Sequence, residues 1–313
     1  MLPHLNQSIK LSNGLKMPLL GLGTWQAQSK EMEVALKVAL DNGYRLIDTA
    51  KIYGNETIIG KVLKEYINSG KLTRDDVFVT TKLWCTHNKP TYIESELIES
   101  LRRLQLEYVD LYLVHFPTCF NQAGTAFDKT VKVEDTWRGM EAVYEKGLTK
   151  SIGISNFSNE QIERIMKIAK VPIHNSQVEV NLYWPQFEHQ EVCKKYNISL
   201  TAYAPIGSPG RYNYKAINWG ETKDVLEDKI VIELGKKYNK TPAQILLRHL
   251  IQRDIAIIPK SSNRNRIIQN SQIFDFEIDD SDMERLNSIP FRQRIFKQEF
   301  MIGHPEDSFI SER

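Results

Sequence analysis

The sequence predicts a barrel of eight parallel strands, each followed by a helix, the (β/α)8 or TIM barrel. Short apolar runs rich in β-branched residues alternate eight times with amphipathic helical patterns. These runs are apolar on both faces, as expected of parallel strands that are buried on both sides. The length of 313 residues, 41% of them hydrophobic, suits one such barrel. We therefore expect a single domain over residues 1–313.

A β-hairpin precedes the barrel. Two alternating runs within residues 8–18 flank Asn13-Gly14, a dipeptide typical of hairpin turns. The first barrel strand is predicted at 19–24 and its helix at 30–42. Further strands are predicted at 44–48, 77–82, 109–115, 151–155, 176–180, 198–203 and 255–258. Further helices are predicted at 56–68, 91–104, 134–146, 159–169, 187–196, 228–237, from 241 onwards and at 263–270.

An open, doubly wound sheet is the competing architecture. That fold usually carries G-x-G-x-x-G after its first strand, whereas this chain has Gly21-Leu-Gly23-Thr-Trp-Gln26. We therefore interpret Gly21 and Gly23 as positions of close backbone packing at the barrel mouth. The residues after Ser288 continue no strand–helix unit, and we expect a loop (289–313) across the active-site rim.

Composition excludes several classes of function. A net charge of +2 gives no electrostatic reason for binding nucleic acid or an anionic membrane. Three cysteines provide no disulfide framework, which fits a reducing compartment. No apolar run approaches the roughly 20 residues of a membrane span, and residues 1–6 lack the pattern of a signal peptide. We expect a cytoplasmic protein with a small-molecule partner and no metal site.

Four residues with reactive side chains follow consecutive predicted strands. Asp48, Lys82 and His115 each end a strand, and Tyr53 follows Asp48 by a few residues. The carboxyl ends of barrel strands share one rim, where catalytic groups lie. Taken singly, Asp48 would be interpreted as a turn former and Tyr53 as a packing residue. Lys82 would be a surface charge, and His115 a buried neutral histidine. Gathered on one rim, they favour a tyrosine that is tuned to act as a proton donor.

The chemistry assigns a role to each of the four. Lys82 is expected to lower the pKa of the Tyr53 hydroxyl from its ordinary value of about 10. Asp48 would hold the Lys82 ammonium in place as its counter-ion. His115 would orient a substrate oxygen by a hydrogen bond.

The four residues resemble the catalytic tetrad of the aldo-keto reductases, and the chain is most similar to the aldose reductases among them. The resemblance implies NADPH-dependent reduction of aldehydes and ketones, including aldoses, to alcohols by a monomeric enzyme, with Tyr53 as proton donor. Other stretches that carry the resemblance are Gly21-Leu-Gly-Thr-Trp25, Thr81-Lys-Leu-Trp84, Asp110-Leu-Tyr-Leu-Val-His115, Gly153-Ile-Ser-Asn-Phe157, Thr201-Ala-Tyr-Ala-Pro205 and Ile257-Ile-Pro-Lys-Ser261.

The resemblance also implies a site for NADPH along the barrel rim. Ser155, Asn156 and Gln177 would bind the carboxamide, and Tyr203 would stack on the nicotinamide ring. The pyrophosphate and ribose would lie against Thr24, Trp25, Pro205 and Ser208. The adenosine 2′-phosphate would bind Lys260, Ser261 and Arg266, with the adenine near Gln269 and Asn270. A lysine and an arginine at the start of a helix also make physical sense as a phosphate site.

The resemblance places the carbonyl substrate against Trp25, Trp84, His115 and Phe116. Phe116 stands where aldose reductases usually carry tryptophan, so this wall loses an indole N–H donor and should be more apolar. Phe120 and the tail residues Phe296 or Phe300 extend the expected apolar pocket. Alternative functions are a ketosteroid or prostaglandin reductase, a nicotinamide-binding regulatory subunit, and an inactive crystallin-like barrel. The intact tetrad argues against an inactive crystallin-like barrel, because loss of activity would predict loss of these residues.

Overall fold

Eight parallel strands form the barrel in this computed structural model, which describes residues 7–27 and 29–313. The strands pair in chain order: β3 (Gly21–Gly23), β4 (Leu46–Asp48), β5 (Phe78–Leu83), β6 (Leu111–Val114), β7 (Ile152–Ser155), β8 (Asn175–Glu179), β9 (Ser199–Tyr203) and β10 (Ile255–Ile257). Parallel bridges from Leu20 to Ile257 and from Gly23 to Lys260 connect the first strand to the last. The predicted (β/α)8 architecture is confirmed.

The hairpin before the barrel is also confirmed. Strands β1 (Ser8–Lys10) and β2 (Lys16–Pro18) pair antiparallel, with Ile9 opposite Met17. Gly14 has φ of +90° in the connecting turn, a conformation that glycine adopts without a steric penalty. The expectation about a signal peptide concerns residues 1–6, which lie outside the described residues.

Helices cover the outside of the barrel close to where the periodicity predicts them. They are α1 (Ser29–Asp41), α2 (Glu56–Asn68), α3 (Pro90–Leu104), α4 (Val133–Glu145), α5 (Asn159–Ile168), α6 (Phe187–Lys195), α7 (Lys229–Tyr238), α8 (Pro242–Ile251), α9 (Arg264–Ser271) and α10 (Asp280–Asn287). The last of these, α10, is absent from the sequence-based prediction. Asp279 begins it by accepting a hydrogen bond from the Asp282 backbone N–H at 2.9 Å.

Gly21 and Gly23 pack as the sequence suggests. A β-carbon on Gly21 would lie 2.5 Å from the Leu46 Cγ atom, and one on Gly23 would lie 2.5 Å from the Ile258 carbonyl oxygen. Both separations are too short for a methyl group, so only glycine lets the first strand approach its neighbours this closely.

The interior is apolar, and Ile47, Val79, Leu113 and Ile154 of successive strands are fully buried in it. Cys85, Cys119 and Cys193 are buried and free. Within residues 7–27 and 29–313, no helix is long and apolar enough to cross a membrane.

Candidate active site

A buried ion pair lies at the centre of the site. Lys82 Nζ lies 2.5 Å from Asp48 Oδ1 and donates a second hydrogen bond to the Thr49 carbonyl oxygen at 3.0 Å. Gln177 Nε2 donates to the other carboxylate oxygen of Asp48 at 2.7 Å. Burial lowers the pKa of Lys82, and the Asp48 carboxylate opposes that shift. The pair therefore fixes the ammonium in an interior where an unpaired charge would be costly.

Tyr53 is the next residue in this chain of contacts. It ends a 3-10 turn, Lys51–Tyr53, that follows β4, and its hydroxyl oxygen accepts a hydrogen bond from Lys82 Nζ at 3.4 Å. Burial, followed by the Asp48 carboxylate and Tyr203, raises the pKa of Tyr53 well above its ordinary value. The pKa of Tyr53 therefore shifts in the direction opposite to the lowering expected from Lys82, and desolvation of the phenolate is the largest cause.

His115 follows β6 directly and faces Tyr53, with ring centroids 5.7 Å apart. Burial and the nearby Lys82 hold its pKa well below the ordinary value, so the imidazole is neutral at pH 7. Neither ring nitrogen has a hydrogen-bond partner within the described part of the chain, and Nδ1 is fully buried. Nε2 is therefore the ring nitrogen left for a substrate oxygen.

The residues expected to bind a nicotinamide lie around the same ion pair. The Asn156 side chain donates to the His115 carbonyl oxygen at 3.0 Å and to Ser155 Oγ at 3.1 Å, and it accepts from the Tyr203 hydroxyl at 2.8 Å. Ser155 Oγ thus acts as an acceptor here and keeps its own proton for a ligand. Gln177 is positioned by Asp48. The groups left over, which are the Ser155 hydroxyl proton and the side-chain oxygens of Asn156 and Gln177, include a donor and acceptors, and a carboxamide needs both.

The residues expected near pyrophosphate and ribose come from two segments at the rim. Thr24, directly after β3, is buried and donates its hydroxyl proton to the Asp48 carbonyl oxygen at 2.9 Å. Trp25 is half-buried beside it, and Pro205 is buried after β9. Ser208 has φ of +49° and precedes a 3-10 turn, Pro209–Asn213. These segments border the tetrad, but the Thr24 hydroxyl is already engaged in holding β4.

A cluster of unpaired cations lies at the start of α9. Lys260 and Arg266 are exposed, and neither forms an ion pair with any described residue. Ser261 Oγ accepts from the Asn263 N–H at 3.2 Å, and the Asn263 side chain caps the helix by accepting from the Arg266 N–H at 3.1 Å. Free cations beside a helix N-terminus fit a phosphate dianion. Further along the helix, Gln269 is exposed and Asn270 is buried.

Aromatic side chains surround the open side of His115. Phe116 stacks on the imidazole, with centroids 4.9 Å apart and planes 10° apart, and Trp84 lies edge-on to it at 5.4 Å. From the tail, Phe300 lies 5.0 Å from Phe116 and 6.2 Å from both Trp84 and Phe120. The tail thus crosses the rim as expected and places Phe300 against the aromatic side chains beside His115.

A second aromatic cluster involves residues that the sequence analysis did not select. Trp25 lies 5.6 Å from Tyr214 and 6.3 Å from Trp219, both in the loop after β9, and 5.7 Å from Phe296 of the tail. Trp219 also lies 5.3 Å from Phe296. No periodic signal marks Tyr214 or Trp219, because these contacts join three segments that are distant in sequence.

Comparisons with known proteins agree with this geometry. The model of the "Aldo/keto reductase family" matches residues 19–290. Aldo-keto reductase family 1 member A1 of Rattus norvegicus is 42% identical over 292 residues, covering 90% of this chain and 89% of that protein. The Homo sapiens protein of the same name is 41% identical over 293 residues, covering 90% and 88%.

Two solved structures are similar over nearly the whole chain. Aldose reductase from Schistosoma japonicum superposes with a TM-score of 0.89 at 36% identity, covering 98% of this chain and all of that one. An aldo-keto reductase complexed with NADPH gives a TM-score of 0.89 at 37% identity, covering 97% and 93%. The chain therefore belongs to the aldo/keto reductase family, whose members are NADP-dependent oxidoreductases.

Proposed function

We propose that this protein reduces aldehydes and ketones to alcohols with NADPH, and that Tyr53 is the proton donor. One observation carries the proposal: the hydrogen-bonded series Asp48–Lys82–Tyr53 lies against a neutral His115, which other aromatic side chains flank. The similarity to an aldo-keto reductase complexed with NADPH supports the choice of cofactor.

The protein's part in the reaction follows from the hydrogen bonds. Lys82 donates to the Tyr53 oxygen, so the phenolic proton is free to point at a substrate oxygen. The raised pKa keeps Tyr53 protonated until negative charge develops on that oxygen. Proton transfer then leaves a phenolate, which the Lys82 ammonium stabilises. His115 Nε2–H would hold the same oxygen by a hydrogen bond.

Bound NADPH would supply the hydride that reduces the carbonyl carbon. Ser155, Asn156 and Gln177 would hold its carboxamide, and Tyr203 would support the nicotinamide ring. Lys260, Ser261 and Arg266 would bind the 2′-phosphate. Thr24, Trp25, Pro205, Ser208, Gln269 and Asn270 would line the remainder of the cofactor.

The walls of the pocket indicate the substrate class. Trp84, Phe116 and the ring of His115 present aromatic surface, whereas Trp25 packs in the second aromatic cluster with Tyr214. The polar atoms beside this surface are those of His115, Tyr53 and the Trp84 indole N–H. We therefore propose carbonyl compounds with an apolar or aromatic portion as preferred substrates, with open-chain aldoses bound more weakly. The ketosteroid and prostaglandin alternatives fall within this class, and a substrate panel separates them.

Steady-state kinetics test the proposed function. The purified protein is mixed with NADPH and DL-glyceraldehyde, and loss of the absorbance band of the reduced cofactor is followed. We expect NADPH to be consumed only when the carbonyl compound is present. Binding of NADPH without turnover of any aldehyde or ketone would instead favour the regulatory-subunit alternative.

The cations at α9 lead to a prediction about cofactor selectivity. Replacing Lys260 and Arg266 together by alanine should weaken NADPH binding by roughly 10- to 100-fold, or about 1.4–2.8 kcal/mol in total. Two charge-assisted contacts with the 2′-phosphate are lost, and solvent screens both because the two side chains are exposed. Quenching of intrinsic fluorescence measures the dissociation constant. NADH, which lacks the 2′-phosphate, is the matched ligand control, and its affinity should change less than threefold. Equal losses for both cofactors would refute the assignment.

A further inference from the structure

We propose that Glu96 of α3 is a positioning residue for the carbonyl reduction proposed above, and the inference rests on that function. Glu96 is 5% exposed. It belongs neither to the tetrad nor to the residues that are expected to bind the cofactor or the substrate. It contacts side chains from two 3-10 turns at the rim, one that carries Tyr53 and one that follows Trp84.

The first contact is with the Tyr53 turn. Lys51 Nζ donates to Glu96 Oε2 at 2.6 Å, and Lys51 is the first residue of the turn that Tyr53 ends. The turn closes by backbone hydrogen bonds from the Tyr53 N–H to the Ala50 carbonyl oxygen at 3.0 Å and from the Gly54 N–H to the Lys51 carbonyl oxygen at 3.2 Å. The hydrogen bond from Lys51 to Glu96 therefore restrains the backbone turn that orients the Tyr53 side chain.

The second contact is with the turn after Trp84. His87 Nε2 lies 3.3 Å from the same oxygen of Glu96, and the His87 backbone N–H donates to the Trp84 carbonyl oxygen at 2.9 Å. Burial and Lys51 lower the pKa of His87, so its ring is neutral at pH 7 and lies beside the carboxylate as an uncharged polar group. One carboxylate oxygen thus connects the turn of the proposed proton donor to the turn that begins at a pocket wall.

Tyr53 depends on this support because its own side chain makes little polar contact. Its hydroxyl has a hydrogen bond from Lys82 at the long distance of 3.4 Å and none other within the described residues. Its position is therefore set largely by the backbone turn. A shift of about 1 Å in a reacting group can reduce a rate by about 100-fold, so a loosened turn should affect turnover before binding.

The attachment of α3 to the barrel does not require Glu96. Arg103 donates from Nε to Glu56 Oε2 at 2.7 Å, and Thr81 donates to Glu56 Oε1 at 2.6 Å. Ile93 and Leu97 of the same helix are fully buried. Removing the Glu96 charge should thus leave the helix in place. The Lys51 side chain is 28% exposed and can turn to solvent.

The test compares Glu96→Gln, Lys51→Met and the double variant with the wild type. We expect kcat to fall 5- to 20-fold in each single variant, with KM for NADPH and its fluorescence quench within twofold. The double variant should lose no more than Glu96→Gln alone, because the Lys51–Glu96 contact is already absent from that variant. Glu96→Asp should recover part of kcat. Glu99→Gln is the control, since Glu99 lies on the same helix in an exposed pair with Arg102 at 2.9 Å.

Two outcomes would overturn the proposal. One is a Glu96→Gln variant with lower thermal stability but kcat within twofold of wild type. The other is additive losses in the double variant, which would mean that Glu96 and Lys51 act separately.

If the wild type reduces no carbonyl compound, the proposed function is refuted. The role of Glu96 in positioning Tyr53 is then tested by a second measurement that does not depend on turnover. Protein labelled with 3-fluorotyrosine gives a fluorine resonance for Tyr53, assigned by its loss in Tyr53→Phe. Glu96→Gln should broaden or split this resonance, whereas Glu99→Gln should leave it unchanged. An unaltered Tyr53 resonance in Glu96→Gln would refute a role in positioning.

Discussion

Replacing Tyr53 by phenylalanine should abolish carbonyl reduction while NADPH binding remains. The variant keeps the ring and loses only the hydroxyl, which Lys82 contacts at 3.4 Å. General acid catalysis contributes roughly 10²- to 10⁴-fold to rates, and we expect kcat/KM to fall by that factor. The corresponding loss of transition-state stabilisation is about 3–5 kcal/mol. Steady-state kinetics with DL-glyceraldehyde measure the loss, and fluorescence quenching measures the retained affinity for NADPH.

Tyr108→Phe is the matched control for this change. Its hydroxyl donates to Asp75 Oδ1 at 3.0 Å on the surface, before β6 begins and therefore at the opposite end of the barrel. The control should keep activity within twofold of the wild type. If Tyr53→Phe retained more than a tenth of wild-type kcat/KM, another group would have to deliver the proton.

Replacing Lys82 by methionine should both destabilise the protein and inactivate it. Asp48 is 3% exposed, and without the ammonium its carboxylate keeps, among side chains of residues 7–27 and 29–313, the hydrogen bond from Gln177 Nε2 alone. Breaking a buried ion pair by removing one partner costs about 3–5 kcal/mol. Urea unfolding should report a loss of this size in the free energy of unfolding. Turnover should fall as well, because the phenolate left by Tyr53 would lose its stabilising cation.

The double variant Asp48→Asn with Lys82→Met separates these effects. Removing both charges should restore much of the stability but none of the activity. Lys146→Met serves as the surface control, because its pair with Glu94 at 2.6 Å is half-exposed and should contribute about 1 kcal/mol or less. A Lys82→Met variant as stable as this control would contradict the view that the buried pair holds the site together.

The strand ends account for most of what the sequence predicts correctly about the site. Buried apolar runs locate β4, β5 and β6, and a parallel barrel necessarily gathers their carboxyl ends, so Asp48, Lys82 and His115 meet without any knowledge of side-chain contacts. The spacing of Tyr53 after Asp48 suffices to place it on the same rim. These contacts depend on backbone topology, which periodicity predicts well.

What the sequence does not predict depends on burial and on contacts between distant segments. The direction of the Tyr53 pKa shift follows from desolvation, which no local pattern reveals. Glu96 is one of several acidic residues on an amphipathic helix, and only the folded chain shows its contact with Lys51. Helix α10 was missed because its acidic first turn appears polar, although Asp279 is an N-cap residue that local rules could have identified.

Transfer of deuterium from cofactor to product tests the central claim most directly. NADPH that carries deuterium at both C4 positions of the nicotinamide is incubated with the protein and an apolar aldehyde, and the alcohol is analysed by mass spectrometry. Hydride transfer at the proposed site predicts one deuterium on the former carbonyl carbon for each NADPH consumed, and with Tyr53→Phe roughly 10²- to 10⁴-fold slower formation of this alcohol. An alcohol without deuterium, or no alcohol despite bound NADPH, would contradict the assignment of this protein as a carbonyl reductase.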